Sequence, residues 1–149
     1  MVLPLGMAMT DLDTKLTKYA PVVLSVFRIV FGLLFTLHGT QKLFGFPSAT
    51  SSGTVAAGTW PYWYAGVLEV VLGLLILTGL FTRIAAFIAS GEMAYAFFSA
   101  HFPKAFWPID NGGEPSVLFC FGFLLLVFTG GGAIALDNVI RRKSAAPAV

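Results

Sequence analysis

Charge is what this chain most lacks. Only 11% of its 149 residues are Asp, Glu, Lys or Arg, whereas a soluble domain carries about a quarter; a globular surface cannot be covered with so few. A single cysteine, Cys120, excludes an intramolecular disulfide framework, a CxxC redox pair and any multi-cysteine metal or iron–sulfur site. The net charge of +2 is small and scattered, unlike the concentrated basic face of a nucleic-acid binder. Apolar material is abundant instead. Hydrophobic residues make up 57%, fifteen residues are Phe, and the mean hydropathy is +0.85. That much apolar surface does not remain a solvated coil. The composition describes an integral membrane protein, an all-α chain folded as one compact unit.

Runs of about 20 apolar residues cross a ~30 Å hydrocarbon core as helices, and four can be read, at residues 21–43, 61–80, 82–102 and 114–136. Pro21 and Pro61 suit a first helical turn, where the missing N–H is not needed. Small residues fill the loop at 46–59, and two prolines with a Gly pair mark the loop at 102–113. Almost nothing joins the second and third runs, so they form a tight antiparallel hairpin. Residues 1–20 are then a cytoplasmic tail, 21–136 a four-span unit and 137–149 a basic cytoplasmic tail. A cleaved signal peptide is the alternative for the first run, because Lys15 and Lys18 precede it and Val55-Ala56-Ala57 is a small-residue site. The run is longer than the usual 7–15-residue signal core and carries Arg28, His38 and Gln41, so it is read as a retained helix.

Orientation follows from Lys and Arg in the short flanks. With both ends cytoplasmic, six (Lys15, Lys18, Arg83, Arg141, Arg142 and Lys143) lie inside against two (Lys42 and Lys104) outside. Trp60, Tyr62, Trp63 and Trp107 then gather at the outer interface, where amphipathic rings settle.

Three charges lie within spans: Arg28, Glu69 and Glu92. A central charge costs ~2.5–3.5 kcal/mol on insertion scales, against a few tenths returned by each Leu or Ile. At 100° per residue, Glu69 shares a stripe with Tyr62, Gly66 and Gly73, Arg28 with Gly32 and Gly39, and Glu92 with Ala85, Ala89, Ala96 and Ser99. Small residues mark where membrane helices approach closely, so all three charges are expected to point inward. At ~1.5 Å per residue from the cytoplasmic ends, both carboxyls lie ~15–17 Å deep and Arg28 ~10 Å, a gap its long side chain can close. An Arg28–Glu69–Glu92 cluster is therefore expected near the membrane middle, with one carboxyl holding a proton so that the set is neutral. Such groups either fix one helix packing or serve a functional site.

A second polar set lies near the outer surface: His38, Gln41 and Lys42 end the first run, His101 ends the third, and Lys104, Asn111 and Glu114 follow. No metal is expected, because two dispersed histidines give no ligand spacing such as HExxH. The simplest account is interfacial hydrogen bonding to loops and water; the alternative is a mouth that receives a polar headgroup or a quinone ring. Cys120, in a Phe-rich run, reads as a core residue rather than a reactive thiolate. Gly130-Gly131-Gly132 reads as a bend or helix end, since the GK[ST] pattern of a phosphate loop is missing. The basic 141–143 stretch reads as a topology signal and anionic-lipid contact.

The strings LHGTQKLFGF (37–46), GVLEVVLGLLILTGLFTRIAA (66–86), AHFPKAFWP (100–108) and NGGEPSVLF (111–119) resemble, in order and spacing, the DoxX family of small four-helix bacterial membrane proteins. The HGxxKLFG pattern is met by His38, Gly39, Lys42, Leu43, Phe44 and Gly45, the second-helix Glu with its GLxTR turn by Glu69, Gly79, Leu80, Thr82 and Arg83, and NGGE by 111–114. Ala105 stands where a Gly is common after FPK. The resemblance covers about residues 25–136. It implies a four-helix, multi-pass bacterial inner-membrane protein, which with the Lys and Arg bias has both termini cytoplasmic. Some family members are associated with quinol oxidase and thiosulfate:quinone oxidoreductase, or with an oxidative-stress complex containing superoxide dismutase and a sulfurtransferase. The resemblance thus implies an accessory subunit of a membrane redox system. Nothing in the sequence supplies a complete catalytic motif, haem ligands or a flavin motif, so redox chemistry needs a partner enzyme or a diffusing quinone.

On that reading His38, Gln41, Lys42, His101, Trp107 and Glu114 form an outer polar pocket. His38 or Lys42 bonds a quinone carbonyl, Trp107 or Trp63 flanks the ring, and Glu69 and Glu92 handle protons. Two alternatives stand beside it. One is a small transporter or proton pathway built on paired intramembrane carboxyls, which at this length needs a homo-oligomer to make repeated halves. The other is a structural or assembly protein in which the charges only lock the helices.

Overall fold

The computed structural model describes residues 5–50 and 52–144, and these are mostly helical, with no strand among the described residues. The helices are α1 (Leu5–Phe44), α2 (Tyr62–Thr78), α3 (Thr82–Ala96), the single turn α4 (Pro108–Asn111), α5 (Glu114–Thr129) and α6 (Leu136–Ser144). A π-helical turn, Phe97–His101, continues α3. The chain runs up α1, down α2, up α3 and down α5. The end bearing Gly79 and Gly130 is called the lower end here, and that bearing Phe44, His101 and Glu114 the upper.

The longest apolar run becomes α1, and within it Thr10–Phe44 is the one described helix long and apolar enough to cross a bilayer. The apolar helices α2 and α5 have 17 and 16 residues, about 24–26 Å at 1.5 Å per residue. Both are shorter than the runs read from sequence. The fourth run, expected to reach residue 136, stops at Thr129 because Gly130 turns to φ +79°. The first does not begin at Pro21: α1 starts at Leu5 and passes through the proline. Pro21 removes one backbone donor, while its carbonyl accepts from Ser25 Oγ and from the Ala133 N–H, each at 2.9 Å. The described part of the expected N-terminal tail is thus a continuation of α1. The expected basic tail begins with α6; residues 145–149, and the side chains of Arg142 and Lys143, lie outside the described residues.

α1 packs along α2, α2 against α3, and α3 against α5. The small-residue faces make the first of these contacts. A Cβ at Gly32 would lie 2.8 Å from Leu77 Cα, and one at Gly39 would lie 2.6 Å from the Gly66 carbonyl oxygen. Phe31 and Phe35 of α1 meet Phe119 and Phe123 of α5 at 4.8–6.1 Å between ring centres. These rings join Leu72, Ile76, Ala85, Ala89 and Leu126 in one core. The α2–α3 hairpin closes on Gly79, left-handed at φ +74°: its N–H bonds to the Ile76 carbonyl, and the Leu80 N–H bonds to Leu75, a Schellman turn. Asp137 of α6 then accepts from the Phe81 and Thr82 N–H groups at 2.7 and 2.9 Å, supplying the carboxylate that a helix N-terminus favours.

Candidate functional site

Side chains on a helix lean toward its N-terminus. Lys42 therefore leans from the top of α1 down into the protein, while Glu69, on the antiparallel α2, leans up. They meet as a salt bridge between Lys42 Nζ and Glu69 Oε1. Glu69 is only 2% exposed, and its second oxygen has no hydrogen-bond partner. Glu92 of α3 faces the same space, within electrostatic reach of both, and neither of its buried oxygens has a partner. One cation thus faces two carboxyls, and three of their four oxygens are unmatched.

These groups line a cavity of about 540 Å³ toward the upper end, a size within the usual ligand range of ~300–1,000 Å³. Its apolar walls are Phe35, Met93 and Phe119. His38, exposed, lies on the α1 side with its ring edge-to-face on Phe119 at 5.6 Å. His101 enters from the π-helical turn and is fixed by a 3.1 Å contact between Nδ1 and the Asn111 carbonyl. The wider turn there carries the Phe102 N–H to the Phe97 carbonyl at 2.8 Å, and such turns recur at functional sites. Asn111, 5% exposed, ties the NGGE loop beneath the histidine, donating to the Ala105 carbonyl at 2.8 Å and accepting from the Gly113 N–H at 2.7 Å.

Of the outer polar set, then, His38, Lys42 and His101 line the cavity, together with Glu69 and Glu92. Three others are elsewhere. Gln41 donates to the Ser48 carbonyl at 3.1 Å and serves the loop. Trp107 is 62% exposed, its ring against Phe106. Glu114 is exposed in the first turn of α5, where the helix dipole favours an acid. Trp63 packs on Tyr64, and the cavity is lined by the rings of Tyr62 and Tyr95, and by those of Phe35 and Phe119, rather than by either tryptophan. Sequence reading passed over the two phenylalanines because a Phe at helical spacing is ordinarily core.

The expected Arg28–Glu69–Glu92 cluster does not form. Arg28 leans toward the N-terminus of α1, away from both acids. Its guanidinium, 1% exposed, donates to four backbone carbonyls: Ile76 and Leu77 at the end of α2, and Gly131 and Ile134 beyond α5. The last four carbonyls of a helix lack intrahelical partners and carry negative dipole, which a five-donor fork satisfies well. Depth counting placed Arg28 within reach of the acids, but side-chain direction turned it the other way.

A larger cleft of about 860 Å³ opens at the lower end, yet its polar side chains already close helix ends. Arg83 donates to the Val127 and Phe128 carbonyls, Asn138 to Gly132 and Ala133, and Asp137 caps α3. Among the described residues, one buried unmatched atom, Thr82 Oγ1, lies here, whereas the three unmatched carboxyl oxygens are in the upper cavity. Among the described residues, no set of three or more His, Cys, Asp or Glu side chains is grouped to hold a metal ion.

The DoxX family model matches residues 23–102, comprising most of α1, all of α2 and α3, and the π-helical turn. The chain belongs to the DoxX family. A Haemophilus influenzae protein with the name "Uncharacterized protein" is 47% identical to it over 132 residues, covering 87% of this chain and 98% of that protein. "Inner membrane protein YphA" of Escherichia coli K12 is 30% identical over 129 residues, covering 79% and 90%. "Uncharacterized membrane protein Rv3486" of Mycobacterium tuberculosis is 27% identical over 134 residues, covering 80% and 82%. No solved structure matches. As a DoxX protein the chain is a membrane protein, which accounts for its sparse charge and for the large apolar side chains exposed on α1, α3 and α5.

Proposed function

We propose that this DoxX protein spans the bacterial inner membrane four times, through α1, α2, α3 with its π-helical turn, and α5, with both termini cytoplasmic. Its upper cavity receives a quinone headgroup on behalf of a partner redox enzyme. The Lys and Arg bias supports this orientation, placing the lower end inside and the cavity below the outer interface. The observation that carries the reading is the set of three unpaired carboxyl oxygens, on Glu69 and Glu92, facing a half-apolar cavity beside Lys42, His38 and His101. Unsatisfied buried acceptors are costly, and a site holding them open is built to meet a donor.

The donor set fits a ring with two opposed oxygens. Lys42 Nζ and the His38 imidazole are placed to donate to one oxygen while Phe35 and Phe119 hold the ring faces. Glu92 is placed to accept from the hydroxyl that replaces the other. A bound quinone would supply two-electron, two-proton chemistry. The chain's own residues orient the ring, exclude water and hold the two protons, one at Glu92 and one at the His38 imidazole, while both electrons pass to a partner. The test is equilibrium binding of decylubiquinone to the purified protein in nanodiscs. Saturable binding weakened at least about tenfold by His38→Ala and by Glu92→Gln is expected, each change removing about 1.4 kcal/mol or more. No saturable binding by the unaltered protein would remove the quinone.

Glu92 also favours a second reading, a proton pathway, since a buried carboxyl with both oxygens open can pass a proton without any bound ring. Proton flux in proteoliposomes, abolished by Glu92→Gln and independent of quinone, would select it.

A further inference from the structure

One face of α1 remains unexplained. Leu12, Leu16, Tyr19, Val23, Val26 and Val30 recur at alternating spacings of four and three and are each 46–64% exposed; Leu33 extends the row at 46%. This is the 3.5-residue period of a coiled-coil seam. The residues that pack α1 inward, Ser25, Arg28, Gly32, Phe35 and Gly39, form a second row offset by two positions. At 100° per residue that offset is about 200°, so the exposed row lies on the back of the helix. Asp11, Asp13, Lys15 and Lys18 all fall outside it, and Asp11 and Lys15 pair with each other at 2.7 Å.

Lipid accounts for an apolar row only where there is lipid. Leu12 stands 13 residues before Ser25, so about 20 Å below the level at which α1 meets the lower loops, past the ends of α2 and α3. There an apolar row faces headgroups and water.

We propose that this row is the seam of a parallel homodimer, in which α1 of one copy packs against α1 of a second about a two-fold axis along the membrane normal. The row fits a second copy in three ways. On the four-span reading every copy inserts in the same direction, so its α1 is already parallel to its neighbour's, and an identical row is self-complementary. The residues from Leu12 to Leu33 expose roughly 700 Å² per copy, so pairing would bury up to about 1,400 Å² in total, against the ~1,200–2,000 Å² of specific interfaces. One set of alternate seam positions holds Leu16, Val23 and Val30, and the other holds Leu12, Tyr19, Val26 and Leu33; β-branched residues in the first with leucine in the second is the two-strand pattern, from which Tyr19 and Val26 depart. The dimer places two upper cavities in one assembly and covers the apolar side of the protruding end of α1.

Disulfide scanning in isolated membranes tests this. In a Cys120→Ser background, single cysteines are placed at Leu12, Leu16 and Tyr19 on the row and at Thr14 and Thr17 off it, then oxidised with copper phenanthroline. Leu12→Cys, Leu16→Cys and Tyr19→Cys are expected to give covalent dimer at least fivefold faster than Thr14→Cys and Thr17→Cys. Leu16→Lys in the unaltered chain is expected to convert dimer to monomer by light scattering in detergent while leaving decylubiquinone binding unchanged. Equal cross-linking at all five positions, none at any, or protection of the row from water-soluble thiol reagents without cross-linking would overturn the dimer; the last would mean that the row lies on lipid. The membrane fraction of the same preparation reads the spanning assignment separately, so the two readings can fail independently.

Discussion

Replacing Lys42 with Met separates the two roles its salt bridge can have. The substitution keeps an unbranched apolar stem, one atom shorter, and removes the charge, leaving Glu69, 2% exposed, without its cation. Breaking a fully buried pair from one side costs ~3–5 kcal/mol. The Lys42 side chain is 28% exposed and opens on a cavity, so a proton or water can reach Glu69 and the expected loss falls to about 1–3 kcal/mol. For a chain of this size, ~2–4 °C of melting temperature goes with each kcal/mol, which gives a drop of about 2–12 °C. Thermal unfolding in detergent can be followed through a thiol-reactive dye on Cys120, the protein's single cysteine. Glu69→Gln alone should cost less, because an amide replaces a charge. The double variant Lys42→Met/Glu69→Gln should recover most of the Lys42→Met loss, because no lone carboxylate remains. If the pair only locks the helices, the double variant also binds decylubiquinone normally. If it belongs to the site, binding is lost although stability returns. Losses that simply add in the double variant would refute the pairing itself.

Other substitutions test the frame around the cavity. Arg28→Lys keeps the charge but not the planar fork that reaches four carbonyls; it should lower the melting temperature by the equivalent of about 2–4 kcal/mol without changing quinone affinity in the folded fraction. Gly32→Val forces branched carbon against the α2 backbone near Leu77 and should cost at least ~1–3 kcal/mol by overpacking, read as reduced membrane abundance. Asp137→Ala removes both acceptors from the start of α3, so amide exchange at Phe81 and Thr82 should accelerate, with a stability loss of ~1–2 kcal/mol. In four single-cysteine variants on a Cys120→Ser background, membrane-impermeant labelling of whole cells should reach positions 52 and 104 but not 83 and 141. The reverse pattern would invert the proposed topology.

The sequence made some features legible and left others hidden, for definite reasons. Helical class, membrane environment and family could be read because apolar run length and motif strings are local properties of the chain. The α1–α2 contact was readable from the Gly32, Gly39, Gly66 and Gly73 stripes, since glycine spacing on a helix maps directly to close approach. Helix ends were less accessible. Pro21 looked like a start, but a proline whose carbonyl is engaged by Ser25 and Ala133 can sit inside a helix. The fourth run continued on hydropathy past Thr129, where a positive φ at Gly130 ends the helix. Phe35 and Phe119 carry no polar atom and so gave no sign of lining a cavity. Lys42 was assigned to the outer mouth, and its contact with Glu69 went unread because depth along the axis was counted without the inclination of the side chains.

That inclination explains how the protein divides its charges. Arg28 and Lys42 lie on the same side of α1, and both lean toward its N-terminus. For Arg28 this is toward the lower end, where α2 and α5 terminate and leave carbonyls unbonded. For Lys42 it is toward the interior. Arg28 closes the end of α2, Arg83 that of α5, and Asp137 the start of α3. At the lower end, these three charged side chains therefore answer the backbone groups that helix geometry leaves open. The upper cavity has the opposite character, with one cation for two acids and three carboxyl oxygens unmatched. A chain with so little charge that closes its lower helix ends this thoroughly yet leaves Glu69 and Glu92 open has not economised on polar contacts at random. The three unmatched carboxyl oxygens are where a ligand or a proton would complete the structure, which is why the proposed site is the upper cavity rather than the larger lower cleft.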